Sequence, residues 1–141
     1  MVDIMFSNED MQYINMAINV TKTNIIDCLN LEDRVIFIVQ KGQLGAAIGT
    51  KAKNLERLRS LFKKTIKFVE FDEDKKRFIC NLCKPYKVNN VIIDESNNSF
   101  VAKIEVSQSD KSKLIGRNGR NINMIRKIAQ RHHPIKDVQI V

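Results

Sequence analysis

The sequence contains no run approaching the ~20 consecutive apolar residues of a membrane span, which excludes a bilayer-crossing helix. Its three cysteines are an odd number, which argues against a disulfide framework and for a reducing cytosol. The opening "MVDIMFSNED" holds Asp3, Glu9 and Asp10 and no basic residue, so it does not read as a secretory signal. Neither G-x-x-x-x-G-K-[ST] nor a G-x-G-x-x-G following a strand occurs, which removes the common nucleotide-phosphate loops. No Gly/Ser/Pro-rich linker interrupts the chain, so its halves are expected to pack with little freedom. Acids are missing altogether between Asp110 and Asp137.

What is present is a basic chain, net charge +8 over 141 residues, enough for one ordinary domain or two very small ones. Its charge is segregated. Residues 1–33 hold six acids against Lys22; residues 41–67 hold eight Lys/Arg against Glu56; residues 111–131 hold seven Lys/Arg and no acid. Two basic blocks in an otherwise mildly acidic chain suit a polyanion, although solvated helix faces would read the same way.

Displaced by 67 residues, the sequence matches itself. "IID" at 25–27 falls on "IID" at 92–94, Val39 on Val106, and "IG" at 48–49 on "IG" at 115–116. Asn54 falls on Asn121, Arg59 on Arg126, and Leu55, Leu58 and Leu61 on Ile122, Ile125 and Ile128. The last strand of the second copy then needs about three extra residues. Two copies of so long a unit indicate tandem duplication of a small domain rather than a solenoid.

Each copy reads α-β-β-α-loop-α-β. "SNED" can cap a first helix, whose stripe includes Met11, Ile14 and Ile18. "NIIDCLNL" and "RVIFIVQ" are β-branched runs separated by a short polar turn. "GQLGAAIG" is a short helix, Leu55, Leu58, Leu61 and Phe62 stripe a longer one, and "TIKFVEF" closes the copy. In the second copy Asp72 or Asp74 caps the first helix and Pro85 ends it. "KVNNVIID" and "SFVAKIEV" are strands joined by "ESNN", Ser109 or Asp110 caps the short helix, and "KDVQIV" closes. The expected fold is α+β, with domains at 1–72 and 73–141.

The chemistry concentrates in "KLIGRNGRNI", where Gly116 and Gly119 stand three apart inside a basic, otherwise helical stretch. Two residues without Cβ permit positive φ and let a ligand backbone come close. Successive amides form an anion site there, Arg117 adds a phosphate-matching fork, Asn118 a neutral donor and Arg120 further positive charge. Leu114, Ile115 and Ile122 would flank a groove for bases, with "SFVAKIEV" as its far wall. The loop region has no aromatic residue, which argues against a stacking platform. A lone G-x-x-G is also an ordinary helix–turn–helix connection; its duplicated setting within a basic block is what sharpens it.

"IGRNGRNI" in this order of elements resembles a type II KH domain, and "AAIGTKAKNLERL" resembles a degenerate second copy. A tandem pair over nearly the whole chain is similar to the archaeal NusA-like transcription factors. The resemblance implies two three-stranded KH domains that bind single-stranded RNA through G-x-x-G loops in transcription elongation or termination, with RNA polymerase or a transcription complex as further partner. It implies a principal clamp of Gly116, Arg117, Asn118 and Gly119, a weaker one of Gly49, Thr50 and Lys51, flanking contacts at Arg120 and Lys53, and Ile115 in the groove. In the first loop Ala52 replaces the second glycine, which sets the ranking. Bacterial relatives carry a polymerase-binding domain and an S1 domain as well, for which 141 residues are expected to leave no room. A cytoplasmic monomer without cofactor or membrane partner is expected.

Other readings compete. Cys80 and Cys83 form a C-x-x-C with His132 and His133 downstream, but the cysteines fall within a predicted helix and no second ligand pair has zinc spacing, so no metal is expected. Asp27 and Asp94 occupy matching repeat positions at strand ends and read as turn or cap residues rather than an acid/base pair. The histidines suit a helix C-terminus. No catalytic constellation is evident, and the chain is not expected to be an enzyme. A KH-type ribosome-assembly or RNA-processing factor needs the same grip, and a scaffold for an acidic protein would use the same charge without the loops.

Overall fold

Ser7 starts the first helix by chemistry that the sequence advertises. Its hydroxyl accepts the Asp10 N–H at 3.1 Å and the Asp10 carboxylate accepts the Ser7 N–H at 3.4 Å, a reciprocal capping box. The computed structural model describes residues 6–141; the first five, which belong to the expected first domain and carry Asp3 of the signal argument, lie outside the described residues. Helix α1 (Asn8–Thr21) turns Ile14, Ala17 and Thr21 inward. β1 (Ile25–Asn30) and β2 (Arg34–Val39) form an antiparallel hairpin. α2 (Leu44–Ile48), a 3-10 turn (Thr50–Ala52) and α3 (Lys53–Phe62) follow, and β3 (Thr65–Glu70) returns parallel to β2.

The second run repeats this order. Asp74 caps α4 (Lys75–Cys83), accepting from the Lys76 and Arg77 amides. β4 (Val88–Ser96) and β5 (Ser99–Val106) pair antiparallel, and α5 (Gln108–Ile115), a 3-10 turn (Arg117–Gly119), α6 (Arg120–His132) and β6 (Ile135–Ile140) complete it. The result is α+β with two three-stranded sheets, ordered β1-β2-β3 and β4-β5-β6. The chain divides into two compact units between Asp72 and Glu73.

In the first unit Val35, Phe37 and Val39 from the central strand pack with Ile14, Ala17, Leu58 and Phe68. Tyr13 stacks on Phe62 with centroids 4.4 Å apart. In the second, Phe78, Ile104, Leu114, Ile125 and Ile128 are fully buried. At ~1.5–3 kcal/mol for each large apolar side chain, such burial is the main favourable term for units this small.

Several local expectations change. The second hairpin turns on Asn97 and Asn98 alone, both at positive φ, while Glu95 and Ser96 stay in β4. The N-cap position of α5 is Ser107, two to three residues before the anticipated ones and without a side-chain cap, because the Asp110 and Lys111 amides bond backward to the Ser107 carbonyl. The "IID" match does not survive pairing. Val39 lies opposite Ile25, whereas Val106 lies opposite Val88, so the structural counterpart of Asp27 is Asn90 and not Asp94. Asp27 is fully buried inside β1 with its carboxylate accepting the Cys28 amide at 2.7 Å, and Asp94 lies within β4 in an ion pair with Lys103 at 2.8 Å. Neither forms a turn or a cap. The closing strand is displaced by more than the expected three residues: Phe37 pairs with Phe68, 31 positions on, and Ile104 with Ile140, 36 positions on.

Candidate nucleic-acid interface

Both loops leave the short helix in the same way. The Gly49 N–H bonds the Gly45 carbonyl at 3.0 Å, and the Gly116 N–H bonds the Ser112 carbonyl at 2.9 Å, each closing its helix. The chain then turns out through φ 82°, ψ 166° at Gly49 and φ 79°, ψ 170° at Gly116. A tight turn follows, with the Ala52 N–H on the Gly49 carbonyl and the Gly119 N–H on the Gly116 carbonyl, both at 3.1 Å. Lys51 and Asn118 are left-handed at φ 53° and 55°, as are Ala52 and Gly119 at φ 58° and 74°. The degenerate loop therefore has the backbone of the intact one, and Ala52 bears the left-handed strain that a glycine would escape.

The two glycines do different work. A Cβ on Gly116 would come within 2.8 Å of the Asn121 side chain and 3.0 Å of its backbone nitrogen; one on Gly49 would come within 2.9 Å of Asn54. At Gly119 the nearest atom would be Asn123 Nδ2 at 3.5 Å, an ordinary contact. Position one resists a side chain through both packing and φ, position two through φ alone, and alanine in the first loop stands at the second.

Of the amides in the second loop, those of Gly116, Gly119 and Arg120 are spent internally. Among the described residues none accepts from the amides of Arg117 and Asn118, nor from those of Thr50 and Lys51 in the first loop. Arg117 and Asn118 are exposed, as are Arg120, Thr50, Lys51 and Lys53. Two adjoining amides beside a guanidinium make a donor set that suits a tetrahedral phosphate. The one acid of the first basic block, Glu56, lies 3.7 Å from Arg59 on the exposed face of α3. Ile115 and its counterpart Ile48 are half-buried beside the loops, but Leu114 and Ile122 belong to the core and cannot line a groove for bases.

Comparison with known proteins places these loops in a family. Residues 11–72 match the KH domain model, and residues 75–140 match the model of the NusA-like second KH domain. A probable transcription termination protein NusA from Halobacterium salinarum is 34% identical over 137 residues, covering 97% of this chain and 98% of the relative. One of the same name from Methanococcus vannielii is 30% identical, covering 98% and 80%. The chain belongs to the archaeal NusA-like family of tandem KH-domain proteins. Among solved structures, that titled APE1850 is similar with a TM-score of 0.79 and 29% identity, over 96% of this chain and 100% of the other.

In this NusA-like chain the residues singled out in the two loops are brought together within each copy. Cys80 and Cys83 lie in α4, half-buried and buried, and the rings of His132 and His133 pack on Phe78 at 5.7 and 5.4 Å. Among the described residues no group of three His, Cys, Asp or Glu could hold a metal ion, and no helix is long and apolar enough to cross a membrane. Asn54 and Asn121 are the residues whose importance the sequence understated. Their match across the repeat was visible, but the reason for it, a side chain wedged beneath the first glycine, exists only once both helices are placed.

Proposed function

We propose that the chain is an RNA-binding factor of transcription elongation or termination, and that it grips single-stranded RNA through its two loops. The observation that carries this reading is the pair of loops with matching backbones and unspent amides, in a chain whose relatives are named for transcription termination. Gly116, Arg117, Asn118 and Gly119 form the principal clamp, with Arg120 and the half-buried Ile115 beside it. Gly49, Thr50 and Lys51, flanked by Lys53, form the weaker one. The clamp holds sugar–phosphate and leaves base recognition to neighbouring surface. The chain acts as a cytoplasmic monomer, alongside RNA polymerase in a transcription complex, and no step in this function requires catalysis.

The test is a titration of the full chain against single-stranded RNA. Arg117→Asp with Asn118→Asp places two negative charges against the phosphates and should weaken binding by about a hundredfold with an unchanged circular dichroism spectrum. Thr50→Asp with Lys51→Asp should cost less, about tenfold. An equal or larger loss from the first loop would reverse the ranking, and binding indifferent to both pairs would favour the acidic-protein scaffold.

A further inference from the structure

In an uninterrupted helix each carbonyl accepts the amide four residues on, so the Lys113 carbonyl would take the Arg117 N–H. The turn at Gly116 carries that amide away. The abandoned carbonyl is nevertheless satisfied: Asn121, from the first turn of α6, donates Nδ2 to it at 2.9 Å. The first copy repeats the substitution. The Ala46 carbonyl would have taken the Thr50 N–H, and it accepts Asn54 Nδ2 at 3.2 Å instead. The contact requires a bare glycine above it, since a Cβ on Gly116 would meet Asn121 Cγ and Nδ2 at 2.8 Å.

We infer that Asn121, and Asn54 in the first copy, are positioning residues that stand in for the first amide of each loop. By occupying the carbonyl that the Arg117 (Thr50) N–H would take in a continued helix, the carboxamide keeps that amide from folding back as one more helical residue and leaves it pointed at the phosphodiester of bound RNA. The role needs a donor on a short arm. Aspartate has the shape and no proton to give, and would face the carbonyl with like charge. A helix-terminal carbonyl left open competes for a donor, and the one that helix continuation would supply is the amide the ligand needs. The inference rests on the reading that these loops bind RNA.

The experiment measures the affinity of the full chain for a fluorescein-labelled single-stranded RNA of about twelve nucleotides, long enough to span one four-nucleotide clamp with flanks. Asn121→Ala should weaken binding about tenfold, the scale of one charge-assisted hydrogen bond. Loosening of the loop could do the same, so the effect is measured again in two backgrounds. Arg117→Ala removes the guanidinium and keeps the amide; Arg117→Pro removes the amide at a position with negative φ. Asn121→Ala should still cost about tenfold in the Arg117→Ala background and less than about twofold in the Arg117→Pro background. A full loss in the Arg117→Pro background would make Asn121 a mere brace and overturn the inference. Should Arg117→Pro not fold, amide hydrogen exchange decides: Arg117 exchange slows in Asn121→Ala if its amide is recaptured, and unchanged or faster exchange overturns the inference. Unaltered affinity in Arg117→Asp with Asn118→Asp would instead remove the RNA reading itself.

Discussion

At the scale of single residues, the two glycines of the second loop are unequal, and this has a measurable consequence. Gly119→Ala should cost about 1 kcal/mol, the price of one left-handed alanine. Gly116→Ala should cost about 3 kcal/mol, because overpacking against Asn121 adds to the same φ penalty. The reverse change, Ala52→Gly, should stabilise the first copy by about 0.5–1 kcal/mol and tighten RNA binding at its loop. Urea denaturation of the three variants checks the order, and equal costs at Gly116 and Gly119 would remove the packing argument. The paired glycines and the basic residues around them were legible from sequence, since spacing and charge are properties of the string. Their inequality was not, since it depends on an asparagine five positions on that reaches back under the turn. Leu114 and Ile122 failed as groove residues for a related reason: apolar periodicity marks both the core face and the rim, and only packing separates them.

At the scale of elements, α6 is tied to β6 by Gln130, whose Nε2 donates to the Lys136 carbonyl at 2.7 Å, and more extensively by one arginine. Arg126 donates Nε to Asp137 Oδ1 at 2.7 Å, Nη2 to the Val138 carbonyl at 2.9 Å and Nη1 to Asn123 Oδ1 at 3.0 Å. Arg59 matches Arg126 in the repeat, yet among the described residues its ion pair is with the exposed Glu56. The sheet registers explain the difference. They put Thr65 where the second copy has Asp137, so the first copy has no carboxylate there to receive it. Burial pushes the Asp137 carboxyl up, but hydrogen bonds from Gln139 and the Val138 amide, together with the Arg126 charge, outweigh it and hold the group below the ordinary carboxylate value. In the window between that lowered value and the unfolded one the unfolded chain binds more protons, so stability rises with pH there. The contribution is complete above the ordinary carboxylate range and disappears as pH falls through the folded value. Asp137→Asn should therefore cost about 1 kcal/mol at neutral pH, modest because the pair is about one-third exposed, and should flatten the acid limb of the stability profile. An unchanged acid limb in unfolding curves from pH about 2 to 6 would count against it. The order of elements was legible because each carries its own periodicity, cap or turn. The register was not: "IID" recurs in both first strands, but the second hairpin is longer, and pairing across a hairpin depends on where the turn closes rather than on which letters repeat.

At the scale of the whole molecule, the net charge of +8 is carried chiefly by the two segments that hold the loops, while the first 33 residues are acidic. If a clamp neutralises about four phosphates, log affinity falls with log salt at a slope of roughly −3 for a single strand, each phosphate contributing about −0.7. The second loop alone should give that value. If both loops hold one strand, the second engagement is intramolecular and gains from effective concentration, and the slope steepens toward about −5 to −6. The wild-type chain on a long single strand should therefore show the steeper slope, and Thr50→Asp with Lys51→Asp should return it to about −3. Salt titrations with RNAs of increasing length separate the cases, since the gain appears only once the strand is long enough to reach both loops. A wild-type slope near −3 at every length would leave the first copy as a folded relic whose loop keeps the shape of a clamp without holding RNA. A slope that steepens with length and relaxes in the first-loop variant requires the left-handed alanine at residue 52 to be a tolerated cost of a working site.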